Sequence, residues 1–524
     1  MHPSLWQPPI DLSPAEQAIR KRIKRAKLFI FLREHRHELF DEAFQQELAT
    51  LYQSSSRGQP PIPPAQLALA TILQAYTGVS DDEVIEATTM DRRWQLVLDC
   101  LDTQEPPFSK GTLIAFRNRL MEANMDRRLI ERTIEVANQT GGFGTRPLRA
   151  ALDRSPLWGA SRVEDTYNLL GHALRKALGV IARQQGRELT EIAREANAVV
   201  VAGSSLKAAL DRDWDDPAQG EQALGVVLAA LTAVERWLDT APEGHDAPVV
   251  AFSMRAAKQV KEQDVQESAP ESATLRTGVA KDRRIAIEDA HMRHGRKSRS
   301  VRVDGYKRHI LQDLDSGLVR AVGITAANAA EASVTEAIQA DLAYQQVHVG
   351  ELHIDRAYLS STWVREREAS LDISCKAWPV RNGPRFPKTA FHLDWEQQTL
   401  RCPNQQEIPF TPGGVVHFPA EICAACPLRE RCTTSPRGRS VSIHPDEPLL
   451  WELRQRQLTP TGRAKLRERV AVEHTLAHIG HWQGRRARYR GPRKNLFDLR
   501  RSAVVQNLHV LAHLIAQTQH SQAA

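Results

Sequence analysis

The stretch from Gly305 to Thr325, GYKRHILQDLDSGLVRAVGIT, is the feature that most limits the folds open to this chain. Two apolar runs flank Asp-Ser-Gly, which is the pattern of a β-hairpin. Helical spacing of apolar residues precedes it, from 161 to about 256, and returns after it in AANAAEASVTEAIQADLAYQQ. Because the strand pattern VHVGELHID then follows, the sequence predicts an α/β fold with a mixed sheet and insertions.

Periodicity and composition divide the chain into four predicted parts. Residues 1–145 read as an all-α N-terminal domain that ends in a glycine-bearing hinge, GGFGTRP. Residues 146–380 form the first part of the α/β domain, with a helical insertion at about 161–290. Residues 381–448 are rich in Pro, Gly and Cys and predict a compact insertion. Residues 449–524 return to helices that complete the α/β domain, beginning with a long helix near Thr459.

Basic residues are clustered, although the net charge of +7 and the pI of about 9.1 are mild. One cluster spans 461–501 and a second, RHGRKSRSVRVDGYKRH, spans 293–309. Such clusters bind phosphate backbones, and a solvated basic face is the alternative. In the N-terminal part, a helix capped by Ser109 carries basic residues, which suggests a DNA-binding unit of the helix-turn-helix type. The predicted DNA contacts are Lys110, Arg117, Arg119, Arg296, Lys297, Lys307, Arg469, Arg485, Arg486, Arg488, Arg490, Arg493 and Lys494.

The longest apolar run, ALGVVLAALTAV from Ala223, is too short to cross a bilayer. The N-terminus lacks the basic-then-apolar layout of a signal peptide. We therefore expect a cytoplasmic protein that does not bind membranes.

Asp153 and Asp355 each follow a short apolar strand pattern directly. Residues at the carboxyl ends of strands in an α/β sheet point into the ligand crevice. The alternative is that each aspartate caps a turn or the following helix. Glu164 and Asp165 lie close to Asp153 in the sequence and are further candidates for the first carboxylate.

Glu473 is the third candidate carboxylate, and it lies in the helical stretch RERVAVEHTLAHIGHW. At 100° per residue, Val472, Leu476 and Ile479 form one apolar stripe, and Glu473 lies at its edge. Arg469, one turn earlier, shares the face of Glu473. Three carboxylates from two strands and a helix suit hard divalent cations, and two such ions about 4 Å apart would support phosphodiester cleavage.

Three histidines form a second stripe on the same helix: His474, His478 and His481. The string EHTLAH does not match the zinc-protease pattern, because its glutamate precedes the first histidine. We expect a polar surface that faces DNA. A zinc hydrolase remains a competing hypothesis, and it requires this stripe to line a cleft.

Two of the six cysteines, Cys100 and Cys375, are isolated and are expected to be buried. The other four are clustered, and in a cytosolic protein such a cluster indicates metal rather than disulfides. These four are Cys402, Cys423, Cys426 and Cys432. Structural zinc and a reduced, metal-free cluster are both open, and His417 or His444 could replace one thiolate.

Five strings resemble bacterial insertion-sequence transposases with a DDE catalytic domain. They are ALDRSPLWGASRVEDTYNLLGHALR, MRHGRKSRSVRVDGYKRHI, LHIDRAY, CAACPLRERC and VAVEHTLAHIGHWQGRRARYRGPRKNLFDLRR. The closest resemblance is to a branch with a helical N-terminal domain and a cysteine-bearing insert before the glutamate. It implies an RNase H-like catalytic core in which Asp153, Asp355 and Glu473 are the metal-binding catalytic residues.

The resemblance also implies the reaction and its partners. The cofactor would be Mg²⁺ (or Mn²⁺), with two ions per site. The substrate would be the terminal inverted repeats of the element, which are cut before a free 3′-OH attacks target DNA. At least two subunits would assemble on paired ends. A catalytically inactive, sequence-specific DNA-binding protein derived from such an element is the competing hypothesis.

Related transposases often carry a Tyr, Arg, Glu, Lys signature around the third carboxylate. Here Arg469 and Glu473 match the arginine and the glutamate. Leu466 stands in place of the tyrosine and Gly480 in place of the lysine. Arg485 or Arg486 is expected to replace the missing phosphate contact.

Overall fold

The computed structural model describes residues 2–53, 59–139, 146–203, 205–240, 247–269 and 272–523. Most of the predicted GGFGTRP hinge lies outside these residues. Within them the fold is a mixed α/β structure with a mixed sheet and many helices, as the sequence predicts.

Helices alone occupy the described residues before the first strand. They are α1 Pro14–Arg22, α2 Lys27–Leu39, α3 Glu42–Ala49, α4 Pro64–Thr77, α5 Asp81–Met90, α6 Arg92–Leu98, α7 Lys110–Glu122 and α8 Arg128–Gln139. Local capping fixes where several of them begin. Ser13 and Ser80 form capping boxes with Glu16 and Glu83, and the Ser109 hydroxyl accepts from the amide of Thr112 (3.1 Å), as predicted for α7.

The central part of the chain alternates strands with helices. Its elements are β1 Leu148–Trp158, α9 Thr166–Gln185, α10 Leu189–Glu195, α11 Leu206–Leu210, α12 Pro217–Thr240, α13 Pro248–Asp264, β2 Val265–Ala269, β3 Ser272–Leu275, β4 Arg293–Arg296, β5 Arg302–Asp313, β6 Val319–Ala326, α14 Thr335–Tyr344, β7 Val349–Ile354, α15 Thr362–Arg365 and β8 Asp372–Cys375. The predicted hairpin is β5–β6, and the long insertion between β1 and β4 contains α9 to α13 and a small β2–β3 hairpin.

The main sheet places β1 at its centre. β5 pairs with β1 in the antiparallel direction, and β7 pairs with β1 in the parallel direction on the other side. β8 extends the sheet parallel to β7. On the far side of β5, β4 pairs with its first residues and β6 with the remainder, both antiparallel. The order β6-β5-β1-β7-β8 therefore combines three antiparallel strands with a parallel flank.

The C-terminal part begins with the cysteine-rich insertion. Its elements are β9 His392–Asp394, β10 Thr399–Arg401, β11 Glu407–Pro409, β12 Val415–His417, α16 Ala420–Ala424, α17 Arg429–Cys432 and β13 Ser440–Ser442, and the helices that follow are α18 Glu447–Arg456, α19 Pro460–Glu468, α20 Val470–Gln483 and α21 Pro492–Ala523. The insertion has a small apolar core of its own around Leu400 and Phe418.

Two helices replace the single long helix predicted from Thr459. α19 ends at Glu468 and α20 begins at Val470, with Arg469 at the junction. The Val472 amide donates to the carbonyl of Arg469 (3.1 Å), which is a tightened three-residue turn rather than a continuous α-helical bond.

The two faces of the sheet pack against different helices. On one face, Ala151 and Ile310 join an apolar core that contains α20, α21 and residues of the N-terminal helices. On the other face, Leu152 and Ile354 pack with α14, α15 and α18. The N-terminal helices thus share their core with the α/β part instead of enclosing a separate one.

Candidate active site

The strand register brings Asp153 and Asp355 side by side. The last parallel pair between β1 and β7 is Leu152 with Ile354, so the next residue on each strand is one of the two aspartates. Asp355 is exposed where the chain leaves β7. Asp153 is buried. The sequence predicted that it follows the end of its strand, but it lies within β1, because β1 continues to Trp158 alongside β5.

The amphipathic helix α20 supplies Glu473. Its predicted apolar stripe, Val472, Leu476 and Ile479, is buried and packs on the central strands. Glu473 lies on the neighbouring face with its side chain half exposed. The edge of the helix therefore directs this carboxylate toward the aspartates.

One arginine joins two of the three carboxylates. The Arg469 guanidinium donates to Oδ2 of Asp153 and, at 2.7 Å, to Oε1 of Glu473. Arg469 is thus paired with carboxylates, whereas the sequence predicted a DNA contact. The two contacts show that residues from β1 and α20, 320 positions apart in number, share one small volume.

The pKa of Asp153 depends on the charges of the two other candidate carboxylates. Burial raises the pKa of the Asp153 carboxyl above its usual value, and the charges of Glu473 and Asp355 add to this rise. Arg469 and a hydrogen bond from the Arg154 amide (2.7 Å) oppose it. Asp355 likewise accepts from the Arg356 amide (2.8 Å), so each aspartate also caps the backbone that follows it. The other candidates lie elsewhere: Glu164 contacts His172 (2.9 Å) and Asp165 caps α9.

A buried polar chain behind the aspartates was not predicted. The Tyr358 hydroxyl hydrogen bonds with Nδ1 of His309 (2.8 Å), and Nε2 of His309 contacts the Thr325 hydroxyl (2.9 Å). Burial raises the pKa of Tyr358, and the charge of Asp153 adds to that effect. The string DRAY, which follows β7, was the available signal.

Three predicted DNA contacts are paired with carboxylates within the protein, and two of them are buried, which corrects the prediction for those two. Arg117 is buried and donates to Asp81 (2.6 Å), and Lys307 is buried and pairs with Glu331 (2.9 Å). Arg493 pairs with Asp126 (2.5 Å). Arg117 and Lys307 therefore neutralise internal carboxylates and are not presented to an outside ligand, whereas Arg493 is partly exposed.

The remaining predicted contacts divide into paired and exposed groups. Lys110 pairs with Asp82 (2.8 Å) on the surface, Arg119 lies over the Tyr52 ring (4.6 Å) and Arg490 pairs with Glu288 (2.6 Å). The exposed set consists of Arg296, Lys297, Arg485, Arg486, Arg488 and Lys494. The first two lie at the tip of the β4–β5 hairpin, and the segment 485–487 pairs with the end of β1 at Trp158.

A buried arginine occupies the space beside Gly480. The Arg308 guanidinium on β5 donates to Ser155 (2.7 Å) and to Oε1 of Gln483 (3.0 Å), and a Cβ on Gly480 would lie 3.2 Å from it. Burial lowers the pKa of Arg308 to about 10. A lysine at position 480, as in the signature, would thus place its side chain directly beside the positive charge of Arg308.

The histidine stripe of α20 is exposed along its whole length, at His474, His478 and His481. These side chains lie on the outer surface of the helix, as expected of a polar face, and they do not line the cavity around the clustered cysteines.

The four clustered cysteines are half-buried free thiols that surround one small cavity of about 30 Å³. Burial raises the pKa of Cys432, and the three other thiols of the cluster add to the rise. Histidines 417 and 444 are not among the cavity-lining residues. The expected isolation and burial of Cys100 and Cys375 are confirmed.

Within the described ranges, one group of three potential ligand side chains has its ligand atoms all within 4.8 Å of one another: Glu351, His353 and Glu468. It lies on β7 and α19, and no sequence pattern indicated it. Arg149 and Lys465 already pair with its carboxylates. The three candidate catalytic carboxylates, Asp153, Asp355 and Glu473, do not all lie within this 4.8 Å limit, and Arg469 lies between two of them.

Two family models match the chain. The model described as Transposase DDE domain matches residues 401–512, and the model described as Transposase domain (DUF772) matches residues 17–119. The first range contains Glu473 but neither aspartate. Searches of curated proteins and of solved structures gave no match. Among the described residues, no helix combines the length and apolar content needed to cross a membrane.

Proposed function

We propose that this chain, which its two family matches identify as an insertion-sequence transposase of the DDE class, cuts DNA at the ends of its element and joins them to target DNA. The observation that carries the proposal is the proximity of Asp153, Asp355 and Glu473 at the end of the sheet where the chain leaves β7. The strand order β6-β5-β1-β7-β8, with three antiparallel strands and two parallel ones, supports an RNase H-like core.

The three carboxylates fit a hard divalent cation. They offer oxygen ligands only, their charges act on one another at Asp153, and a guanidinium already occupies a cation position between two of them. We infer Mg²⁺, or Mn²⁺, as the cofactor, with two ions held by Asp153, Asp355 and Glu473. When bound, such ions would supply an activated attacking hydroxyl and stabilise the leaving oxygen of an in-line displacement.

The chain's own residues have separate tasks in this reaction. Asp153 is fixed by its strand and by the Arg154 amide, whereas Glu473 is oriented by the buried stripe of α20. The exposed arginines Arg485, Arg486 and Arg488 follow α20 directly and are placed to hold phosphates of the DNA backbone. Their partners are the terminal inverted repeats and the target DNA, on which at least two copies of the chain would assemble.

Structural zinc in the cysteine-rich insertion belongs to the same proposal. The four thiols help to line a cavity of about 30 Å³, which has room for one ion. A bound zinc ion would cross-link the segments of the insertion, whose own apolar core is small. Drawing the thiols together is required, since Zn–S bonds are ~2.3 Å. We expect about one zinc per chain in the purified protein, measured by elemental analysis, and its loss in Cys423→Ser but not in Cys100→Ala. Zinc-free wild-type protein would refute the zinc assignment.

A Mg²⁺-dependent cleavage assay on the element ends tests the enzymatic proposal. Wild type is compared with Glu473→Gln, and Glu262→Gln, at an exposed glutamate on α13, serves as the matched control. We expect Glu473→Gln to bind the ends and leave them uncut. Equal cleavage by wild type and Glu473→Gln would refute the role of Glu473. DNA binding without cleavage by wild type would favour the inactive DNA-binding protein.

A further inference from the structure

Arg469 occupies an unusual position at the junction of α19 and α20. It is half-buried, and its two terminal nitrogens contact different carboxylates, Asp153 on β1 and Glu473 on α20. These are two of the three proposed metal ligands. The guanidinium therefore lies between a buried carboxylate and a half-exposed one and neutralises part of their negative charge.

The helix before Arg469 is held to the sheet by ion pairs rather than by a core. α19 has no buried residue. Glu468 pairs with Arg149 on β1, and Lys465 pairs with Asp372 on β8 (2.5 Å) and with Glu351 on β7 (3.2 Å). These pairs fix α19 across three strands and so fix the position from which Arg469 reaches the carboxylates.

The carboxylates repel one another without a cation between them. Burial and the charges of Glu473 and Asp355 disfavour the ionised form of Asp153, and Arg469 is the charged group that offsets this, together with the Arg154 amide. A divalent ion bound to the same oxygens would remove the need for the guanidinium and would also repel it. A metal ion coordinated through Oδ2 of Asp153 and Oε1 of Glu473 would compete with the guanidinium for those two oxygens.

We propose that Arg469 is a positioning residue that takes the place of the metal cation until metal binds, so that metal entry requires the guanidinium to leave Asp153 and Glu473. The inference rests on the proposed function. It makes the metal affinity of the DNA-free protein depend on how often the guanidinium vacates the carboxylates, because apparent affinity scales with the competent fraction.

Mn²⁺ binding to the full chain without DNA, measured by electron paramagnetic resonance of the free ion, tests the proposal. Arg469→Gln removes the competing charge, and we expect it to bind Mn²⁺ about tenfold more tightly than wild type, which corresponds to a guanidinium in place about nine-tenths of the time. Arg469→Lys keeps the charge and should stay close to wild type. Arg467→Gln, an exposed arginine two residues away, is the control for the change in net charge.

The outcomes separate this inference from the proposed function. Tighter binding in Arg469→Gln that disappears on adding Asp153→Asn supports both. Equal or weaker binding in Arg469→Gln, with binding still lost in Asp153→Asn, overturns the role of Arg469 and leaves the metal site standing. Binding that is insensitive to Asp153→Asn in every background contradicts the proposed function itself.

Discussion

Arg501 is predicted to be a structural residue although it belongs to the most basic segment of the chain. Its guanidinium is buried on α21 and donates to Asp498 (2.8 Å) and to Gln74 on α4 (2.7 Å). The Asp498 side chain is only 1% exposed. Arg501→Ala therefore leaves a buried carboxylate without its cation and removes a hydrogen bond between α21 and α4.

The cost follows from this burial. Removing one partner of a buried ion pair costs about 3–5 kcal/mol, a large part of the 5–15 kcal/mol that stabilises a typical protein. Arg485→Ala, at an exposed arginine of the same segment, should change stability by less than about 0.5 kcal/mol. Urea unfolding followed by circular dichroism measures both values.

A double variant tests the reasoning further. If the loss comes from the orphaned charge, Arg501→Met combined with Asp498→Asn should be more stable than the sum of the two single changes by at least about 1 kcal/mol. A loss below about 1 kcal/mol in Arg501→Ala, or strict additivity of the two changes, would refute the argument that the pair is buried and coupled.

Burial lowers the pKa of His309 to about 3, so between pH ~6.5 and pH 3 the unfolded chain binds a proton at this residue that the folded chain does not. The free energy of unfolding should therefore fall by about 2 kcal/mol from pH 7 to pH 5. His309→Gln should lack this part of the pH dependence when urea unfolding is measured at both pH values. Arg117→Ala should lower the free energy of unfolding by about 2–4 kcal/mol, because it breaks the ion pair with Asp81. The DNA affinity of the folded variant should be unchanged in a gel-shift assay, and a loss of affinity without a loss of stability would support the predicted DNA contact. Replacing exposed Arg486 and Arg488 together by alanine should weaken DNA binding and reduce the slope of log affinity against log salt by about 2, and an unchanged slope would contradict their assignment.

Local periodicity predicted the parts of the fold that depend on it. The β5–β6 hairpin follows from two apolar runs that flank Asp-Ser-Gly, and the buried stripe of α20 follows from helical apolar spacing. The full length of β1 could not be predicted in this way, because Arg154–Trp158 contains a proline and lacks an apolar run. Those residues remain in the strand since β5 continues beside them after the β7 pairing ends, and Pro156 needs no partner on the open side.

Which basic side chains are exposed could not be predicted, because their partners lie far away in the sequence. Lys307 reads as part of a basic block until the fold brings Glu331 to it, and Arg493 until the fold brings Asp126. The same holds for Arg469, whose partner Asp153 comes from the first strand. Sequence spacing showed that Arg469 and Glu473 share a helix face, but not that the arginine also reaches the sheet.

The most direct test of the account compares the three carboxylate variants, Asp153→Asn, Asp355→Asn and Glu473→Gln, with the triple variant in Mg²⁺-dependent cleavage of the element ends. If the carboxylates hold the metal as one unit, each single change should reduce cleavage at least about a hundredfold and to nearly the rate of the triple variant, with DNA binding retained. Near-wild-type cleavage by any one of the three, or losses that multiply from single to triple variant, would contradict a shared metal site.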